Sequence, residues 1–265
     1  MPFFPGITFH PDNFTDADFA HDAALACKIR HDFSQSRPWF NDAVLLDDAG
    51  PNAEAALPFS AWTQPARLAA LLDLWQQHIY RQQPGAARLE KPLISLWAQW
   101  YLGLLVPPLM QALLTQPAAL HIAPEYTRVE FHATGRAARF FISVYTHPNL
   151  SEQPARQRLE LLCQTGIAPV INALTAGTER AHARLIWSNT GYLMHWFLGE
   201  LRPQLGDEAW QALRHALFLE PHFSDSTDNP LFRSVIPRNG LLMRRTCCQR
   251  NRLPGVQQCG DCTLK

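Results

Sequence analysis

This chain of 265 residues lacks an excess of charge of either sign. Its 23 lysines and arginines balance its 23 aspartates and glutamates, and charged residues make up only 17% of the sequence. Proteins that bind nucleic acid through its phosphates usually carry a clear basic excess. The balance therefore argues against recognition of nucleic acid by overall charge, and we expect no nucleic-acid partner.

Two glycine-containing motifs are also missing. The chain has no G-x-G-x-x-G run of the kind that cradles dinucleotides, so we expect no bound NAD or flavin. Ser188 does not lie in the G-x-S-x-G context of a serine hydrolase. Neither hydride transfer from a resident nicotinamide nor acyl transfer is predicted.

The N-terminus shows no secretory leader. The opening residues, MPFFP, lack the basic n-region and the apolar core segment of a leader. We therefore expect a cytoplasmic protein. In that reducing compartment, clustered cysteines bind metal more often than they form disulfides.

The hydrophobic pattern predicts an α+β fold that is mainly helical, with a small antiparallel sheet and a C-terminal cysteine-bearing loop. Helical periodicity is clearest over residues 65–83, and a second helix is expected over residues 16–33. Alternating apolar residues at 127–131 and 140–144, with Gly135 between them, predict a hairpin. Ser188-Asn189-Thr190 is interpreted as a helix N-cap.

The stretch Leu93–Leu114 carries no charged residue. Its length would suffice for a membrane span, but Pro107-Pro108 and two glutamines interrupt its apolar character. We predict a buried pair of helices that is broken at the two prolines. Peripheral contact with the cytoplasmic face of the inner membrane stays open.

Four cysteines lie close together near the C-terminus: Cys247, Cys248, Cys259 and Cys262. Four thiolates are soft ligands that select zinc, copper(I) or an iron–sulfur core over hard ions. The spacing Cys-Cys-x10-Cys-x2-Cys matches neither common ferredoxin pattern nor a zinc ribbon. Adjacent side chains of an extended segment point to opposite sides. The backbone must therefore bend if Cys247 and Cys248 are to share one centre.

Four arginines flank these cysteines: Arg244, Arg245, Arg250 and Arg252. Positive charge lowers thiol pKa values, which favours metal loading, and it raises the potential of an anionic cluster. We expect these arginines to tune the centre and to help partners dock. A plain solvated loop is the alternative.

Three blocks of the sequence resemble the bacterial ferric siderophore reductases of the FhuF type: KPLISLWAQW (91–100), IWSNTGYL (186–193) and RRTCCQR…CGDC (244–262). The resemblance implies that Cys247, Cys248, Cys259 and Cys262 hold a [2Fe-2S] cluster. It also implies one-electron reduction of a hydroxamate-type ferric siderophore, with electrons from an external protein or a reduced carrier. No further catalytic residue is expected beyond the cluster.

On this basis we divide the chain into three parts. Residues 1–60 form an N-terminal helical or irregular segment, residues 61–240 a mainly helical α+β core, and residues 241–265 the cluster-binding segment. Six aromatic residues could line a chelate pocket, although helical spacing favours a core role: Trp97, Trp100, Tyr101, Trp187, Tyr192 and Trp196.

Two other functions compete with the reductase. One is a binding or scaffold protein stabilised by structural zinc in a site of four cysteines. The other is an iron–sulfur sensor that regulates through loss of its cluster. A visible spectrum bleached by reductant would separate the reductase from a colourless zinc protein.

Overall fold

The computed structural model describes residues 19–47, 54–146, 148–178, 181–238 and 241–260, without the side chains of residues 148 and 241. The helices are, in chain order, α1 (Ala23–Ser36), α2 (Phe40–Ala43), α3 (Phe59–Trp62), α4 (Pro65–Tyr80), α5 (Glu90–Thr115), α6 (Pro148–Ser151), α7 (Ala155–Leu161), α8 (Ala168–Gly177), α9 (Ala183–Glu200), α10 (Arg202–Leu205) and α11 (Asp207–Phe218). A π-helical turn, Leu162–Ile167, joins α7 to α8.

The strands are short and form three small sheets. They are β1 (Ala20–His21), β2 (Val44–Leu46), β3 (Leu57–Pro58), β4 (Leu120–His121), β5 (Thr127–Phe131), β6 (Ala137–Ile142), β7 (Tyr145–Thr146), β8 (Val235–Arg238) and β9 (Leu241–Arg244). The sheet orders are β1-β7-β4, β2-β6-β5-β3 and β8-β9. The mainly helical α+β prediction is confirmed, and the parallel pair β2–β6 adds one mixed sheet to it.

The predicted hairpin is present as β5 and β6. Val129 pairs with Phe140 across the antiparallel ladder, and both side chains are buried. Gly135 takes a positive φ of 80° in the turn, and a Cβ there would lie 2.1 Å from the carbonyl oxygen of Leu71. Glycine at this position therefore permits both the turn and its close approach to α4.

Helix α4 confirms the expectation for residues 65–83 closely. Pro65 occupies its first turn, and its buried residues follow the predicted apolar stripe, from Leu68 to Trp75. Helix α1 begins later than expected, after Asp22, whose carboxylate accepts a 2.8 Å hydrogen bond from the Leu25 N–H. Residues 16–18 of that expectation lie outside the described residues.

The predicted break at Pro107-Pro108 is wrong. Helix α5 continues through both prolines as the central core helix, with 78% of its most apolar window buried. Proline removes the hydrogen bonds that the carbonyls four residues earlier would accept. Those carbonyls belong to Gly103 and Leu104, which are half-buried and border a cavity, so water can satisfy them.

A second segment, Ala155–Gly177, is also long and apolar enough to cross a bilayer, and 56% of its window is buried. Length and composition alone are weak evidence for a span in either segment. The burial of α5 supports the prediction that the uncharged stretch belongs to the protein core.

The interpretation of Ser188-Asn189-Thr190 as an N-cap is also wrong. Helix α9 begins at Ala183, so these residues lie in its interior, where all three are buried. The side chains of Ser188 and Asn189 bond to other segments rather than to the start of their own helix. Gly191 lets the segment that contains Ser234 approach α9 closely, because a Cβ at position 191 would lie 2.1 Å from the Ser234 hydroxyl oxygen.

One hydrophobic core extends from α1 to Leu253, and it includes residues of all the larger helices. Phe33 and Val44, from the N-terminal part, and Leu253, from the C-terminal part, belong to it. The division at residues 60 and 240 remains a prediction about sequence organisation.

Candidate metal centre and adjoining cavity

The C-terminal segment from Leu241 to Gly260 leaves the core as β9 and then turns sharply at the cysteines. Gln249 takes a left-handed conformation with φ 62°, and its N–H donates to the Cys247 sulfur over 3.3 Å. The backbone therefore bends beside the vicinal pair, as the sequence required. A 3₁₀ turn, Arg250–Arg252, follows, and buried Leu253 anchors it to the core.

Two of the four predicted ligands meet in the structure. The Cys248 and Cys259 sulfur atoms are 3.9 Å apart, Cys248 being buried and Cys259 half-buried. The Cys247 sulfur lies 3.9 Å from the Asn251 side-chain oxygen. Cys262 lies outside the described residues. Within the described part of the chain, no three potential metal ligands among His, Cys, Asp and Glu converge.

The position of Cys248 is fixed by side chains from two core helices. The Ser95 hydroxyl of α5 donates to the Cys248 carbonyl over 3.3 Å, and the Asn189 amide of α9 donates to the Ser95 oxygen over 3.0 Å. The Thr246 hydroxyl donates to Ser188 over 2.7 Å. These contacts tie the cysteine segment to α5 and α9.

The four arginines occupy two different environments. Arg244 is buried, stacks on the Tyr192 ring at 4.5 Å and donates to the Asn189 side-chain oxygen over 3.4 Å. Arg250 is half-buried and borders the same cavity as Arg244, whereas Arg245 and Arg252 are exposed. The tuning and docking role assigned to them remains a prediction.

The six aromatic residues proposed for a chelate pocket divide between the protein core and the wall of a cavity. Trp97 and Tyr101 are core residues, and burial raises the pKa of the Tyr101 hydroxyl. Trp187 packs partly against the core. Trp100, Tyr192 and Trp196 instead line a cavity of about 360 Å³ between α5 and α9.

The two remaining cysteines lie apart from this centre. Cys163 is fully buried in the π-helical turn, and burial raises the pKa of its thiol, so it stays a neutral core group. Cys27 is exposed on α1 and accepts a hydrogen bond from Arg30 over 3.2 Å.

Sequence reasoning missed the polar link formed by Ser95 and Asn189. Both residues interrupt otherwise apolar helical stretches, and both are buried. A buried polar side chain requires a partner, so these interruptions were the available signal. The partner itself, a carbonyl 153 residues away in the case of Ser95, could not be read from the pattern.

Comparison with protein families defines the class of this centre. Residues 244–264 match the family model described as the FhuF 2Fe-2S C-terminal domain. The C-terminal segment is thus a [2Fe-2S] domain, which makes the chain an iron–sulfur protein.

The remaining comparisons specify the family. Residues 95–242 match the model described as ferric iron reductase FhuF-like transporter. The chain is also 48% identical over 244 residues to the ferric siderophore reductase of Escherichia coli strain K12, with 92% of each chain covered. The chain belongs to the FhuF-like ferric iron reductase family, an oxidoreductase family that acts on iron.

Proposed function

We propose that this protein reduces siderophore-bound ferric iron by one electron and thereby releases ferrous iron. The proposed substrates are hydroxamate siderophores. Cys247, Cys248, Cys259 and Cys262 are the proposed ligands of its [2Fe-2S] cluster.

One distance carries the ligand assignment. Two thiolates bound to one tetrahedral metal atom at about 2.3 Å lie about 3.8 Å apart. The Cys248 and Cys259 sulfur atoms are separated by 3.9 Å, which fits two thiolates on the same iron. This geometry supports that pair directly, whereas Cys247 and Cys262 are assigned through the spacing of the motif.

When bound, the cluster supplies a centre that accepts and donates single electrons. The chain itself must hold the thiolates and keep them close to the substrate. Ser95 and Asn189 hold Cys248 in place.

Electron transfer of this kind requires no general base or nucleophile on the protein. Hydroxamate oxygens are hard donors that bind iron(III) far more tightly than iron(II). A single electron therefore loosens the chelate. The protein has to bring the chelate near the cluster and receive electrons from outside.

An external protein or a reduced carrier is the proposed electron donor. The proposed location is the cytoplasm, with peripheral contact at the inner membrane where imported chelates arrive. The zero net charge supports the absence of a nucleic-acid partner.

Anaerobic purification followed by iron and acid-labile sulfide analysis tests the cluster. We expect two irons and two sulfides per chain, from the formula of the cluster, and a visible spectrum that dithionite bleaches. Reoxidation of the reduced protein by a ferric trihydroxamate should be stoichiometric, with one electron delivered per iron. A colourless protein with one zinc would support the alternative of a structural four-cysteine site and overturn the reductase.

Cys248→Ser tests the ligand assignment. We expect the visible bands and the reductase activity to be lost while the far-ultraviolet circular dichroism is retained. Cys27→Ser is the matched control, because it removes an exposed thiol from α1 and should leave both properties unchanged. Full activity in Cys248→Ser would show that the assignment is wrong.

A further inference from the structure

A cavity of about 360 Å³ lies between α5 and α9, next to the cysteine segment. Trp100 and Trp196 line it and remain 42% and 51% exposed. Large aromatic side chains gain much by burial, so two exposed tryptophans on one cavity leave apolar area for a partner to cover. Pockets of this size take small organic ligands.

The inner end of the cavity is polar and joins the metal centre. Ser95 and Asn189 line it, and the Ser95 hydroxyl donates directly to the Cys248 carbonyl. Arg244 and Arg250, which flank the vicinal cysteines in the sequence, complete this side. A ligand in the cavity would thus be separated from Cys248 by little more than one side chain.

Two buried donors at this end have no acceptor among the described residues. The Nε groups of Arg244 and Arg250 are inaccessible to solvent and make no hydrogen bond within the described structure. Arg244 is only 7% exposed as a whole residue. An unpaired N–H of a charged group is costly. Because these two Nε groups are closed to solvent, a ligand in the cavity gains their hydrogen bonds only when the guanidinium groups turn toward it, and a ligand with oxygen acceptors favours that turn.

The charge of the lining restricts the ligand further. Among the described residues that border the cavity, two carry guanidinium groups and none carries a carboxylate. A third guanidinium, that of Arg136, lies over the Trp100 ring at 4.7 Å. The second cavity, which shares Leu193 and Trp196 with this one, is bordered by Asp42 and Glu200 as well as by Arg37. The excess of positive charge is thus confined to the end of the site next to Cys248, where it favours the anionic oxygen donors of a ligand.

We propose that this cavity binds the ferric siderophore, as a chelate with anionic oxygen donors, a proposal that rests on the proposed reductase function. Trp100, Tyr192 and Trp196 contact the organic part of the chelate. Arg244 and Arg250 donate hydrogen bonds to its metal-bound oxygens, which orients the iron toward Cys248. Trp196 and Leu193 also border a second cavity of about 510 Å³, where a larger chelate can extend.

A redox-inert probe tests binding separately from reduction. Gallium(III) has the charge and nearly the size of iron(III) but is not reduced under these conditions. A calorimetric titration measures the dissociation constant. The holoprotein is titrated with the gallium(III) complex of a neutral cyclic trihydroxamate. We expect Trp196→Ala to raise that constant about tenfold, as truncation of an aromatic hot-spot residue does, and Arg250→Gln to raise it severalfold.

Trp210→Ala is the matched control. Trp210 is half-buried on α11, between Arg202 and Arg214, and it lines neither cavity. We expect an unchanged dissociation constant in this variant. Visible spectra and far-ultraviolet circular dichroism of each variant verify that the cluster and the fold are intact.

The outcomes separate the two proposals. Suppose that Trp196→Ala, Trp100→Ala and Arg250→Gln all bind the gallium complex as tightly as the unmodified protein does, and that the unmodified protein reduces ferric chelates. The cavity is then not the binding site, and the proposed reductase function is unaffected. If the unmodified holoprotein reduces no ferric chelate, the proposed function fails.

Discussion

Helix α5 and the cysteine segment, residues 241–260, are held in place by different forces. The helix is surrounded by apolar side chains. Trp97 and Tyr101 stack on one another, and Trp62 packs against both at a tilt, with ring centroids 5.3–6.0 Å apart. The segment has few apolar anchors. Its position depends on the hydrogen bonds to Ser95, Ser188 and Asn189 and on buried Leu253.

The scaffold thus depends mainly on apolar burial, whereas the position of the cysteines depends mainly on hydrogen bonds. Apolar burial is not directional and tolerates small shifts, so it suits a scaffold. Hydrogen bonds depend on distance and angle, so they suit a site whose sulfur atoms must meet at a defined separation. Substitutions in the two regions should therefore produce different kinds of damage.

Trp97→Ala should cause the largest loss of global stability. Trp97 is fully buried, and its indole N–H donates to the Gly135 carbonyl over 2.9 Å. Removal of such a side chain from a core costs about 3–5 kcal/mol. Urea unfolding followed by circular dichroism measures this loss. Trp39→Ala, at a site that is 60% exposed, should cost less than about 1 kcal/mol.

Asn189→Ala should damage the centre more than the fold. The substitution leaves Arg244 and Ser95 short of a buried partner, which costs about 1–3 kcal/mol. We expect the visible bands to bleach at a lower temperature than in the unmodified protein, while the main unfolding transition moves less. Asn172→Ala, at an exposed position of α8, is the control. If the bleaching temperature and the main unfolding temperature fell by the same amount, the claim that the centre and the fold are stabilised separately would be wrong.

Arg245→Gln should have the smallest effect, and only on the potential. Arg245 is exposed, so its charge is screened by water. A unit charge acting over about 10 Å at the dielectric constant of water is worth about 0.4 kcal/mol, or roughly 20 mV for one electron. Removal of positive charge should lower the midpoint potential by this order, and a spectroelectrochemical titration measures it. An unchanged or higher value would refute the tuning role.

The sequence predicted those elements whose pattern reflects local periodicity. Helix α4 and the β5–β6 hairpin follow directly from the spacing of their apolar residues. Helix α5 was predicted to break at its two prolines, but it is continuous. The burial of eighteen of its residues offsets the local cost of the prolines. That burial depends on partners from distant parts of the chain.

The cysteine motif could be found in the sequence, whereas the residues that hold it in place could not. The structure brings two of its four cysteines, Cys248 and Cys259, together, and the role of the four as cluster ligands remains a prediction. Ser188 and Asn189 were assigned to a helix start because serine and asparagine favour caps. Their contacts with Thr246, Ser95 and Arg244 span 55 to 94 residues, which no local rule contains.

The order of these contacts along the chain has a consequence for biosynthesis. Ser95, Ser188 and Asn189 all precede the cysteines, so they leave the ribosome first. The helices that receive the cysteine segment can pack before the first thiol of that segment is translated. The cluster would then be inserted into a protein whose receiving helices are already folded. If insertion failed, these helices would stay folded and insertion could be repeated.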